Sequence, residues 1–188
     1  MKALIKGAVN AVFLVFALPF ALLAGFGRIP FFFHLWAQSF ASLAGLPGDY
    51  ARAAYYNLTL RRFPFSSRIQ YGSFFAHSEA SVGEGVYIGC YCILGQVNIG
   101  DHTLLASGVQ VLSGKRQHGR TADGRIDGSE NVFETVSIGS DCWLGAGVIA
   151  MANIGSGTTI GAGSVVTSEI SANSVAVGSP ARVIRSAS

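Results

Sequence analysis

From Val82 onward the chain advances in steps of six: an aliphatic residue, usually Gly, two unrestricted positions, a small residue, and one more unrestricted position. Val82, Ile88 and Leu94 open the series, followed by Ile99, Leu105 and Val111, then Ile138, Leu144 and Ala150, then Ile154, Ile160 and Val166. Eleven of these twelve are Val, Ile or Leu, and glycine comes next at Gly83, Gly89, Gly95, Gly100, Gly139, Gly145, Gly155 and Gly161. Three such steps close one turn of a coil of short strands stacked in three flat sheets, with glycine at corners that need φ > 0 or close backbone approach. The small residue four after each aliphatic is Val86, Cys92, Thr103, Val109, Cys142, Val148, Thr158 or Ser164, so two of the three cysteines sit where the interior wants a small side chain. Gly155-Ser156-Gly157 and Gly161-Ala162-Gly163 recur with the coil and open no helix, which excludes a dinucleotide-binding fingerprint. About four turns cannot hide their own sides, so self-association is expected.

The other end of the chain is different in kind. Half of the 188 residues are hydrophobic and 12% are charged, which excludes disorder. The net charge of +3 divides unevenly: residues 1–70 hold seven basic residues and one acid, +6, whereas 71–188 hold six and nine, −3. The basic half is also the apolar half, a combination that points to a membrane surface rather than to nucleic acid. Ala8 to Phe26 is 19 residues without a charge, about 28 Å of helix at 1.5 Å per residue and close to bilayer thickness. Pro19 is expected to kink it. A second apolar stretch, Ile29 to Leu46, contains His34 and Gln38 and reads as interfacial or re-entrant. The expected organisation is a membrane-anchoring span or hairpin over 1–50, a basic connector over 51–74, and the coil over 75–188 with a loop at 112–135. Lys2 and Lys6 on one side and Arg52, Arg61 and Arg62 on the other would place both ends of a hairpin in the cytoplasm. A cleaved signal peptide is the rival reading of the same apolar run. Cys90, Cys92 and Cys142 suit a reducing compartment and match no metal-ligand spacing.

The hexads, together with Ile138-Gly-Ser-Asp-Cys-Trp143-Leu-Gly-Ala-Gly, Ile160-Gly-Ala-Gly-Ser-Val-Val-Thr167 and Val177-Gly-Ser-Pro180-Ala-Arg182-Val-Ile-Arg185, resemble the hexapeptide-repeat acyltransferases, in particular their sugar O-acetyltransferase branch. The resemblance covers about residues 75 to 186. It implies an all-β solenoid, a left-handed parallel β-helix despite the right-handed rule for parallel crossovers, assembled as a homotrimer with acetyl-CoA as co-substrate in the groove between adjacent subunits and with no metal. It carries Ala146 and Ala162 over to backbone contacts on the pantetheine arm, Thr167 to the same groove, and Arg182 and Arg185 to the adenosine phosphates, where a forked cation suits phosphate. Trp143 either packs on the coenzyme or covers a coil corner. Two positions depart from the family pattern: Ser168 stands where many relatives have Lys, and Gly89 where sugar-acetylating relatives have Asn.

The resemblance also interprets the long break between Val111 and Val136, which is polar, glycine-rich and holds four charges of each sign. In the family such a loop carries the catalytic histidine, and His118 is its one histidine here. A neutral imidazole suits the task, since it can take the acceptor's hydroxyl proton as oxygen attacks the thioester. Asp123, Asp127, Glu130 and Glu134 are candidate partners for it, with no choice among them. His77, before the first expected turn, is a candidate cleft residue; His34 and His102 read as structural. The implied activity is acetyl transfer from acetyl-CoA to a hydroxyl of a saccharide, with a lipid-linked or membrane-delivered glycan as acceptor, in envelope or exported polysaccharide synthesis at the cytosolic face of the cytoplasmic membrane. N-acetylation of an amino sugar or amino acid and a non-catalytic membrane-tethered scaffold stay open as alternatives. A zinc hydratase on the same fold needs two close histidines in one loop, and this loop has one.

Overall fold

The structure, a computed structural model, describes residues 2–114, 118–121 and 123–186. Three helices come first: α1 (Lys2–Leu23), α2 (Pro30–Ala41) and α3 (Gly45–Thr59). Helix α1 runs unbroken through Pro19. It stops at Gly25-Phe26-Gly27, all three at positive φ (58°, 54° and 90°), and α2 restarts with Pro30 in its first turn, where a missing N–H costs nothing.

Short strands follow: β1 (Arg68–Ile69), β2 (Phe74–Phe75), β3 (Ser81–Val82), β4 (Tyr87–Ile88), β5 (Ile93–Leu94), β6 (Val97–Ile99), β7 (Leu104–Leu105) and β8 (Gln110–Val111). An arm leaves the stack there, made of β9 (His118–Arg120) and β10 (Ile126–Asn131). The stack resumes with β11 (Val136–Ile138), β12 (Trp143–Leu144), β13 (Ile149–Ala150), β14 (Thr159–Ile160) and β15 (Val165–Val166), and ends in the hairpin of β16 (Ser174–Gly178) and β17 (Ala181–Ser186).

The chain visits three parallel sheets in rotation. A seven-stranded sheet has the order β1-β4-β7-β12-β14-β16-β17, a five-stranded one β15-β13-β8-β5-β2, and a three-stranded one β11-β6-β3, prolonged by bridges at Arg62–Ser81, Ile138–Ile154 and Ile154–Ile170. Only β17 runs antiparallel to its neighbour in these sheets. In-register pairs put aliphatic on aliphatic, Ile88 on Leu105, Leu105 on Leu144, Leu144 on Ile160, all within 1% of full burial. The small fourth positions are buried as expected, from Val86 to Ser164. The turn itself falls three residues after each aliphatic. That position takes a left-handed backbone at Gly85, Tyr91, His102, Gly108, Asp141, Gly147, Gly157, Gly163 and Asn173. The glycine directly after the aliphatic serves the other need: a Cβ on Gly89 would stand 2.7 Å from the Ser107 nitrogen of the next turn.

The repeat begins earlier than the hexads announce. Phe63, Ile69 and Phe75 lie in the interior at hexad spacing, with Ser67 and Ser73 in the small positions. Segment 51–74, expected as a connector, therefore contains most of α3 and the first strands. Arg52 is fully buried and cannot serve as a flanking membrane-surface charge. Its Nε donates to the Ile69 carbonyl (3.0 Å), its Nη1 to those of Phe40 (3.0 Å) and Leu43 (2.7 Å), and its Nη2 pairs with Asp49 at 2.6 Å. Burial lowers the guanidinium pKa, and Asp49 opposes that shift. Tyr56 adds a second tie, its hydroxyl accepting from the Phe75 N–H at 3.2 Å. Helices and stack share one buried core.

Candidate active site

The arm sits between β8 and β11 without disturbing the stack on either side of it, since Leu105 still pairs with Leu144 and Val111 with Ala150. Its base is pinched where the Glu134 N–H donates to the Ser113 carbonyl at 3.0 Å. Farther out, β9 and β10 pair antiparallel, Gly119 opposite Asp127 and His118 opposite Asn131 across an irregular register. His118 is exposed on this arm. Of its four candidate carboxylates, Asp123 is held by Thr121 and by Arg125 (3.0 Å), and Glu134 packs over Gly114. The side chains of Asp127 and Glu130 lie outside the described residues.

The residues expected along the coenzyme groove fall on the stack. Ala146 and Ala162 occupy the corner between the seven- and five-stranded sheets on successive turns, joined by the bond from the Gly163 N–H to the Ala146 carbonyl (2.8 Å). Cys90 and Ser107 continue that column, with the Gly108 N–H on Cys90 (2.8 Å) and the Gly147 N–H on Ser107 (3.0 Å). From Cys90 to Ala162 the column is made of small residues, with Tyr71 at its head, its carbonyl accepting from the Tyr91 N–H (3.0 Å), and Ser107, Ala146 and Ala162 are exposed. Trp143 stands outward on β12, 55% exposed, between Leu104 and Thr159. Thr167 is at the far end of β15, one corner on. Arg182 and Arg185 are exposed on β17, opposite Val177 and Val175. Within one chain the residues therefore form two groups, His118 on the arm and the others along the stack.

The outward columns of the sheets differ in chemistry. The seven-stranded sheet presents Arg68, Tyr87, Leu104, Trp143, Thr159 and Val175, and the five-stranded one Phe74, Ile93, Gln110, Ile149 and Val165, so both columns are largely apolar, broken by Arg68, Thr159 and Gln110. The third presents Ser81, Asn98, Ser137 and Asn153.

His77, the candidate cleft residue, lines a cavity with His34 beside the helices. Its ring lies 4.5 Å from that of Phe133 on the returning limb of the arm. Burial lowers the His77 pKa, and Glu79 acts against the shift. His102 is exposed at a left-handed corner. Cys92 and Cys142 are buried thiols whose pKa burial raises. Among the described residues no three His, Cys, Asp or Glu side chains converge as metal ligands.

No protein-family model matches the chain, and no curated protein matches it. Solved structures do. A maltose O-acetyltransferase from Clostridium difficile 630 superposes with a TM-score of 0.69 at 25% identity, over 86% of this chain and 89% of its own. A hexapeptide-repeat-containing acetyltransferase from Vibrio cholerae gives 0.73 at 20% identity, over 87% and 93%. A galactoside acetyltransferase in complex with coenzyme A gives 0.65 at 23%, over 81% and 79%.

Proposed function

From the fold and the repeat of the hexapeptide-repeat acetyltransferases, both of which this chain has, we propose that it moves an acetyl group from acetyl-CoA to a hydroxyl of a saccharide. The stack would wind as a left-handed parallel β-helix and assemble as a homotrimer. Two sheets with largely apolar outward columns, interrupted by Arg68, Thr159 and Gln110, and one with a polar column support that assembly, because a closed three-fold ring needs two faces per subunit to meet neighbours and leaves one to water. In such a ring the arm of one subunit reaches the seam beside the next, which would join the two groups of residues that a single chain keeps apart.

The coenzyme would lie along that seam. The small column at Ala146 and Ala162 leaves the backbone open to a narrow pantetheine arm, Thr167 lies farther along the same path, Trp143 offers an aromatic face beside it, and Arg182 and Arg185 offer forked donors to its phosphates. His118 would accept the proton of the acceptor hydroxyl as its oxygen attacks the thioester carbonyl. The oxyanion is stabilised by a backbone N–H of the coil; its collapse breaks the C–S bond, and the departing thiolate takes up the proton. No covalent enzyme intermediate is required, because the thioester is already activated.

The observation that carries this reading is the placement of the arm's one histidine, exposed on an excursion that interrupts an otherwise unbroken stack. Its decisive test is mass spectrometry of cell-envelope glycans with and without the gene: an acetyl mass difference on a hydroxyl supports it, and identical glycans refute it.

The membrane address belongs to the same proposal. Leu4–Leu23 is long and apolar enough to cross a bilayer. One side of α1 is covered: Ala17 and Ala21 are fully buried, Phe13 stacks on Tyr50 at 5.5 Å, and Phe20 meets Trp36 at 4.8 Å. The other side, with Leu4, Val12, Val15 and Leu22, stays bare. These contacts along one side favour a retained anchor over a discarded leader. Its bare side would enter the cytoplasmic membrane, with the stack on the cytosolic side where acetyl-CoA is made. That address favours a lipid-linked or membrane-delivered glycan as acceptor.

A further inference from the structure

A cavity of about 450 Å³ opens where the turn after α1, the end of α3 and the link between β2 and β3 converge. Gly27 makes the convergence possible, because a Cβ there would overlap the Thr59 carbonyl oxygen and the Ser78 side chain. Arg28, His34, Arg61 and His77 line the cavity with a single acid, Glu79. Arg52, Arg62 and Arg125 are each spent on a carboxylate. By contrast, neither Arg28 nor Arg61 makes a side-chain hydrogen bond or ion pair among the described residues. Two arginines without a side-chain partner among the described residues and two histidines around one concave space form an excess of donors, and the complement of such a set is an oxyanion able to accept several bonds at once.

Two neighbours say more about that anion. The returning limb of the arm rests against the cavity wall through Phe133 on His77, so the space opens at the root of the segment that bears His118. Beside Arg28, the side chains of Phe26, Ile29 and Phe31 are uncovered, at 45%, 44% and 71% exposure. Cations bordered by bare apolar groups suit an acidic group at the head of a hydrocarbon chain.

We propose that this cavity holds the phosphate or diphosphate of the acceptor, gripped by Arg28 and Arg61, so that the acceptor is a phosphate-bearing saccharide. The proposal deepens the acetyltransferase reading and rests on it for the word acceptor; the anion site itself stands on the cavity and its side chains.

The test is calorimetric titration of the full chain with inorganic pyrophosphate, with coenzyme A present at saturation to fill the coenzyme's own phosphate contacts. Saturable binding that weakens at least about tenfold in Arg28→Gln/Arg61→Gln, with coenzyme affinity and melting midpoint unchanged, is the expected result. Absent binding, or equal binding in the variant, overturns the cavity proposal while leaving the acetyltransferase reading intact. Failure of coenzyme A to bind wild type counts against the latter alone, and pyrophosphate is then titrated without it. Flotation with phosphatidylcholine vesicles, with and without phosphatidic acid, separates the two sources of phosphate. A phosphatidic-acid-dependent gain that the double variant loses assigns a lipid-borne acceptor; pyrophosphate binding without such a gain assigns a soluble one.

Discussion

Replacing His118 by Ala removes the proposed proton acceptor without touching the buried core, since the side chain is exposed on the arm. Acetyl transfer is expected to fall about 10²-fold or more with coenzyme affinity unchanged, measured as thiol release against a calorimetric Kd. Arg52→Met has the opposite profile. It takes the guanidinium from Asp49, which keeps the Gln70 amide at 2.9 Å, and removes the donors to the carbonyls of Leu43 and the buried Ile69, so a loss of about 3 kcal/mol is expected, seen as a melting midpoint lower by roughly 10 °C. The cysteines give a third check. Burial holds the Cys92 and Cys142 thiols protonated, and the thiolate is the nucleophile, so alkylation at pH 8 should modify at most Cys90 in the native protein and all three after denaturation. The interior role of those two cysteines was legible, because hexad position alone dictates it. Arg52 was not: in sequence it stands in a basic, apolar region, and nothing local reveals that a strand seventeen residues later supplies one of its acceptors.

At the scale of elements, the hexads from Val82 predict strand positions almost residue by residue, because each buried aliphatic must sit on the one a turn before it. The first turn escaped for a physical reason. Phe63 and Phe75 fill the interior there in place of branched aliphatics, and Tyr56 reaches in from α3 to meet Phe75 at 5.0 Å, so the end of the stack is sealed by aromatic rings rather than by the repeat. The helices show the converse. Apolar length locates α1 but is blind to which side is covered, and only the contacts with Tyr50, Trp36 and Phe40 divide its faces. Val12→Asp/Val15→Asp, on the bare side, should release the protein from membranes into the soluble fraction without lowering its melting midpoint. High salt alone should not release wild type, because screening weakens surface charge attraction and leaves apolar burial in place. A wild-type protein found wholly soluble would refute the anchor.

For the whole molecule the seams decide the outcome. Leu104→Asp or Ile93→Asp puts a charge on a largely apolar outward column and, if the proposed trimer forms through it, should leave monomers in light scattering, with transfer lost even though His118 is intact. Asn98→Asp, on the polar column, should change neither. Of the candidate site, the sequence located the arm and its histidine, while the division into two groups became visible only in three dimensions, since strand β12 and the arm are near in the chain but serve different edges of the stack.

The arm enters and leaves at one pinch between Ser113 and Glu134, and the layers above and below it join as though it were absent. Closing a longer excursion at such a neck costs only a logarithmic increment of entropy. Additions, deletions or wholesale exchange of that segment would thus leave the layers of the stack joined, so the part proposed to carry the base can be remade independently of the groove proposed for the coenzyme.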